Sequence, residues 1–224
     1  MKRLGEVFNK REGIIFIMSA PSGAGKTTLI RQLLSTFSGM RLSVSCTTRP
    51  RRAGEVSGRD YHFVTKRTFA AIRARGGFAE WAKVHGSLYG TPRAPLEDGV
   101  RRGRDVLLDI DVQGAKKLKK AYPQAVSVFL LPPSWRELGR RLARRGTDRK
   151  ESIRQRLEHA RREIREMMRY DYVIVNREIQ EASRSLGAIV VAERHRISRV
   201  RRYRAPSLGI SRAQKRHEQR TQGQ

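Results

Sequence analysis

The sequence predicts an α/β fold built on a parallel central sheet, and three observations carry that expectation. Apolar runs of strand length recur along the chain, at 14–18, 106–110, 126–131 and 172–175. Between them lie segments with apolar residues at helical spacing, among them Leu29, Ile30, Leu33 and Leu34. Their alternation is the pattern of buried strands joined by crossover helices. With 224 residues, 38% of them hydrophobic, the chain is long enough for one well-filled core and too short for two independent folding units.

The first strand, 14–18, runs into Ser19-Ala-Pro-Ser-Gly-Ala-Gly-Lys-Thr-Thr and then into the Leu29 to Leu34 stripe, so strand, glycine loop and helix follow one another. Further strands are expected at 41–46 and 60–64. Thr91 before Pro92 offers a helix N-cap with proline at the first helical position, and Ser134 with Glu137 makes a capping box. From Glu151 to Met168, an amphipathic helix is expected, with Ile153, Leu157, Ala160, Ile164 and Met167 on one face and arginines elsewhere. Strand-rich sequence between Thr47 and Tyr89 breaks the alternation and reads as an inserted substrate-binding region. After Tyr203 the apolar residues thin out, and a basic, disordered tail is expected over 204–224.

Charge is the unusual feature of the composition. Lys and Arg number 49 against 21 acids, a formal +28, and 38 of the 49 are arginine. No apolar run is long enough to cross a bilayer, and residues 1–12, a basic extension, lack the apolar core of a secretory signal. One cysteine, Cys46, makes no internal disulfide and no cysteine-based metal site, which fits a reducing compartment and a cytoplasmic location. From Arg194 onward ten basic residues face one acid, Glu218. Such a segment attracts polyanions, so nonspecific nucleic-acid association is a secondary possibility for the tail. The chain carries no nucleic-acid fold signature, and an arginine-rich composition is the simpler source of the charge.

The segment Ala20-Pro21-Ser22-Gly23-Ala24-Gly25-Lys26-Thr27 fits the P-loop pattern except at its first position, where alanine replaces glycine. Gly23 and Gly25 permit backbone conformations that turn successive N–H groups around phosphate oxygens at a helix N-terminus. Lys26 adds a mobile positive charge, and Thr27 offers a hydroxyl to the Mg2+ that bridges terminal phosphates. A strand before and a helix after supply the context the motif needs. On a second buried strand, Val106-Leu-Leu-Asp109-Ile-Asp111 places two carboxylates on one face at the strand's C-terminal end, where α/β ligands bind. A helix N-cap at Asp111 is compatible with either role.

Around these motifs the chain resembles guanylate kinase. The likeness rests on the phosphate loop, then Val44-Ser45-Cys-Thr-Thr-Arg49-Pro-Arg-Arg52, Gly54-Glu55, Gly58 and Asp60-Tyr61. It continues through Phe78-Ala-Glu80-Trp, Tyr89-Gly90-Thr91, Asp109-Ile-Asp111-Val-Gln113-Gly114, Arg141-Leu, Arg145-Gly146-Thr147 and Val173-Ile-Val-Asn176, in the family's order from about Ile14 to Tyr203. The resemblance implies a P-loop NTPase three-layer fold at 13–203, with a GMP-binding insertion at about 45–95 and a helical lid at about 136–165. It implies transfer of the γ-phosphate of ATP to GMP with Mg2+ in purine nucleotide metabolism, by a monomer or homo-oligomer. By the same resemblance Ala20 to Thr28 hold ATP, and Ser45, Glu80, Thr91 and Asp111 meet the guanine. Arg49, Arg52, Tyr61 and Tyr89 hold the acceptor phosphate, and Lys26, Arg49, Arg141, Arg145 and Arg156 offset charge during transfer. Thr27 and, through water, Asp109 serve the metal, and the roles of Asp109 and Asp111 are open to exchange.

The chemistry agrees with that assignment. A carboxylate such as Glu80 accepts both the N1–H and the exocyclic amine of guanine, an edge adenine does not present, and arginine forks suit phosphate oxygens. A noncatalytic guanylate kinase-like binding module is the alternative, and intact Lys26, Thr27 and lid arginines argue against it. A P-loop kinase acting on a phosphorylated ribose would not need Ser45, Glu80 and Thr91 together.

Overall fold

The structure, a computed structural model, describes residues 12–84, 86–144 and 150–200. Strand β1 (Ile15–Ser19) is buried at every residue, and its side chains alternate between two cores. Phe16 and Met18 pack with Leu29, Ile30, Leu33, Val128, Leu130 and Leu186 on one face, while Ile15 and Ile17 pack with Leu96, Val106, Leu108, Ala115 and Leu118 on the other. Each fully buried leucine or isoleucine of this kind contributes about 1.5–3 kcal/mol.

Among the described residues the central sheet has five strands. Beside β1 they are β2 (Met40–Leu42), β7 (Asp105–Asp109), β8 (Val126–Leu131) and β9 (Tyr172–Val175), in the order β2-β7-β1-β8-β9. Every neighbouring pair is parallel. Helices α1 (Lys26–Thr36) and α7 (Ile179–Arg194) cover one face, and α3 (Arg93–Arg101) and α4 (Val112–Ala121) cover the other, which gives the three layers expected. The chain leaves central β1 toward β2 and β7 on one side and reaches β8 and β9 on the other. A ligand crevice is therefore expected beyond the C-terminal ends of these strands.

A second, four-stranded sheet, β4-β3-β6-β5, comes from β3 (Cys46–Thr47), β4 (His62–Phe63), β5 (Phe78–Val84) and β6 (Ser87–Pro92). It is mixed: β3 pairs β4 in parallel, while β6 runs antiparallel to both β3 and β5. With α2 (Lys66–Ala74) it has its own small core of Cys46, Phe69 and Phe78. The single strand expected at 41–46 is in fact divided between the two sheets. Ser43 N–H donates to the Leu107 carbonyl and ends the central ladder, after which the chain crosses over and resumes pairing at Cys46.

Helix α5 (Trp135–Ala143) starts where the sequence places it, with the Ser134 hydroxyl accepting from Glu137 N–H. The Glu137 side chain does not complete the capping box, because Arg140 and Arg141 take it. Helix α6 (Lys150–Arg165) ends in a 3-10 turn, Glu166–Arg169, and packs Ala160, Ile153 and Leu157 against Leu138 and Leu142 of α5. A short helix, α8 (Ile197–Val200), follows α7. Thr91 does not cap α3 as expected: Pro92 occupies the cap position without a side-chain bond, and the buried Thr91 hydroxyl donates to Glu80 instead. Among the described residues no helix is long and apolar enough to cross a membrane.

Candidate active site

At the end of β1 the chain turns through the glycine loop into α1. Gly23 and Gly25 have φ of 92° and 98°, the left-handed region in which a side chain is strained, and Gly25 is the N-cap of α1. The loop thus delivers the first N–H groups of α1 to one place, a ready anion site. The Thr27 and Thr28 side chains lie at that helix start, and Lys26 Nζ is 2.5 Å from Asp109 Oδ1 at the end of the neighbouring β7.

These groups line a cavity of about 350 Å³ between the two sheets. Its walls are Ala20 to Thr28, Ser45, Tyr61, Glu80, Tyr89, Asp109, Ile110, Asp111 and Glu163, with Ala82 and Val84 of β5. Glu80 is 6% exposed, and its Oε1 accepts the Thr91 hydroxyl at 2.7 Å. Burial raises the Glu80 carboxyl above the usual range, and the Thr91 bond only partly offsets that. A buried carboxylate in this condition gains most from a ligand that brings two N–H donors. Asp111 caps α4 by accepting Gly114 N–H at 2.9 Å, so the cap and its place on the cavity wall coexist. Burial pushes the Tyr61 hydroxyl up to about 12, with Asp109 and Tyr89 adding to it, so it is a donor at neutral pH.

The expected arginines stand outside that wall. Arg49 is held by Glu55 at 2.7 Å and lies over the Tyr61 and Phe63 rings at 5.5 and 5.7 Å. Arg52 is exposed, its backbone N–H bonded to the second Glu55 oxygen. Arg141 pairs with Glu137 at 2.7 Å and donates to the Ala24 carbonyl at 3.3 Å, which fastens α5 to the glycine loop. Arg156 is half-buried on α6, and Arg145 lies outside the described residues.

Sequence reasoning missed four wall residues, the apolar Ala82, Val84 and Ile110 and the one charged group, Glu163. Glu163 projects from α6, and burial raises its carboxyl to about 7 against the pull of Lys26, with Asp111 adding to the rise. Its one signal in the sequence is an acid three residues after Ala160, beside the apolar stripe of an arginine-rich helix. The site's oxygen donors, the Thr27 hydroxyl and the Asp109 carboxylate, suit a hard cation such as Mg2+, which keeps waters and shares substrate phosphates. Among the described residues no group of three or more His, Cys, Asp or Glu forms a metal cluster.

A parallel sheet with a glycine loop and Lys-Thr after its central strand, facing an inserted sheet across a cavity, defines a protein of the P-loop NTPase fold. Comparison with known proteins narrows the class. The guanylate kinase family model matches residues 12–193. The guanylate kinase of Syntrophotalea carbinolica is 55% identical over 192 residues, covering 86% of this chain and 91% of its own, and that of Geobacter metallireducens is 50% identical over 191 residues, covering 85% and 94%. The crystal structure of guanylate kinase from Anaplasma phagocytophilum matches with a TM-score of 0.73 at 36% identity, over 90% of this chain and 98% of that one. The chain belongs to the guanylate kinase family.

Proposed function

We infer that the protein transfers the γ-phosphate of ATP to GMP, giving ADP and GDP, as a cytoplasmic step of purine nucleotide metabolism. The observation that carries this is one cavity with a phosphate loop on one wall and a buried, hydroxyl-bonded carboxylate, Glu80, on the other. Ala20 to Thr28 hold the ATP phosphates. Ser45, Glu80 and Asp111 read the guanine, and Thr91 orients Glu80 from behind. Tyr61 and Tyr89 hold the acceptor phosphate from the wall, and Arg49 and Arg52 from beside it.

Thr27 and, through water, Asp109 would hold Mg2+, which neutralises charge on the terminal phosphates when bound. The acceptor oxygen of GMP is already ionised near neutral pH, so no general base is needed and the residues act by positioning and charge offset. Lys26 meets the transferring group from the loop. Arg141, Arg145 and Arg156 approach from the lid, for which Arg141 must exchange Glu137 for phosphate. No observation favours the noncatalytic alternative.

The test is ADP formation by the purified protein with ATP and Mg2+, comparing GMP, AMP, CMP and UMP. GMP-dependent turnover is the expected result. Absence of turnover with every acceptor, from folded protein that binds ATP, would overturn it.

A further inference from the structure

The Asn176 side chain lies at the end of β9 and is 3% exposed, in a part of the molecule that brings it to the glycine loop from 152 residues away. Its backbone N–H donates to the Leu131 carbonyl at 2.8 Å, which continues the β8–β9 ladder and fixes where the side chain starts. The amide Nδ2 donates to the Ala24 carbonyl at 2.7 Å. The fit is close enough to constrain the loop sequence: a Cβ added to Gly25 would stand 2.4 Å from that nitrogen. Arg141 shares the same acceptor less closely, at 3.3 Å, and reaches the Asn176 carbonyl at 3.4 Å.

A trans peptide directs its carbonyl and its N–H to opposite sides, and no peptide among the described residues is cis. Holding the Ala24 carbonyl toward Asn176 therefore turns Gly25 N–H the other way. We propose that Asn176 is a positioning residue of the ATP phosphate loop: its buried amide holds the Ala24 carbonyl outward and so presents Gly25 N–H to the phosphate. This rests on the reading of Ala20 to Thr28 as the ATP loop. It also divides labour with Arg141, which leaves the Ala24 carbonyl to meet phosphate, whereas Asn176 stays on the loop throughout.

Two variants of the full chain test this, Asn176→Ser, too short to reach Ala24, and Asn176→Asp, of the same shape but without a donor when ionised. For each, KM for ATP and for GMP, kcat, and calorimetric ATP binding are measured, with the thermal melt as a check on folding. Asn176→Ser should weaken ATP binding and raise KM for ATP about tenfold, leaving KM for GMP within about twofold. Asn176→Asp should share the defect at about pH 8.

Equal losses for ATP and GMP, unchanged ATP binding in Asn176→Ser, or unchanged ATP binding in Asn176→Asp at about pH 8 would each overturn the proposal. If Asn176→Asp fails to fold, the Asn176→Ser comparison decides alone. Because ATP binding is read directly, absence of turnover in the native chain would count against the proposed reaction and leave the Asn176 test standing.

Discussion

In the proposed reaction, base selection would rest on a few atoms around Glu80. Thr91 occupies Oε1, and Gly114, the fourth residue of the Asp111 cap, lies under Oε2: a Cβ there would be 2.8 Å from it. Replacing Glu80 by alanine is expected to cut the preference for GMP over AMP, as the ratio of kcat/KM values, roughly 10- to 100-fold. An unchanged ratio would remove Glu80 from the guanine site. Gly114→Ala should displace the carboxylate and raise KM for GMP about tenfold while KM for ATP holds. Adding Glu80→Asp, one methylene shorter, should recover part of that loss; equal effects on both substrates would mean that α4 itself had been disturbed.

Among the elements, α7 is tied down by buried charge at its C-terminal end. Asp105, wholly buried at the start of β7, accepts Ile14 N–H and Arg194 Nε, and so joins β1, β7 and α7. Glu193, 3% exposed in its side chain, accepts the Tyr172 hydroxyl at 2.6 Å and pairs with Arg196 and Arg199. Burial alone would raise the Glu193 carboxyl, yet the bonds from Tyr172, Arg196 and Arg199 outweigh it and hold it below its ordinary value. Removing Glu193 would leave the Tyr172 hydroxyl and the half-buried Arg199 without this acceptor, while Arg196 is exposed to solvent. Glu193→Ala should cost about 1–3 kcal/mol in urea denaturation, mainly through the acceptor lost by Tyr172 and Arg199, while the folded fraction keeps its kcat, since Glu193 does not line the cavity. A loss under about 1 kcal/mol would show that the cluster relaxes into solvent instead.

For the molecule as a whole, a formal +28 makes the carboxylates inside it the counterweights, and Glu163, like Glu80, is held there against the cost of burial. Its carboxyl rises from 4.5 to about 7 on folding, chiefly through burial. A raised acid favours the folded state fully below about 4.5 and loses that contribution as pH climbs through about 7. Glu163→Gln removes the titration. The variant should therefore melt progressively above the native chain between about pH 5 and about pH 8, by an equivalent of roughly 2–3 kcal/mol at the upper end. A melting difference constant across that range would contradict the burial of Glu163.

The sequence by itself determined what depends on near neighbours along the chain. The left-handed glycines at 23 and 25, the caps at Asp111 and Ser134, and the alternating faces of β1 follow from local backbone preference and apolar period, and the order of motifs was enough to identify the family. Only the tertiary structure decided the rest. It turned Thr91 from a helix cap into the partner of Glu80, split 41–46 between two sheets, and gave Lys26, Arg49 and Arg141 the carboxylates Asp109, Glu55 and Glu137. It also brought Glu163 to the cavity and Asn176 to the loop. In a chain with 38 arginines, composition does not say which one meets which acid. Those pairings are set by where the strands end and the crossovers return, and a hydrogen bond spanning 152 residues leaves no period in the sequence.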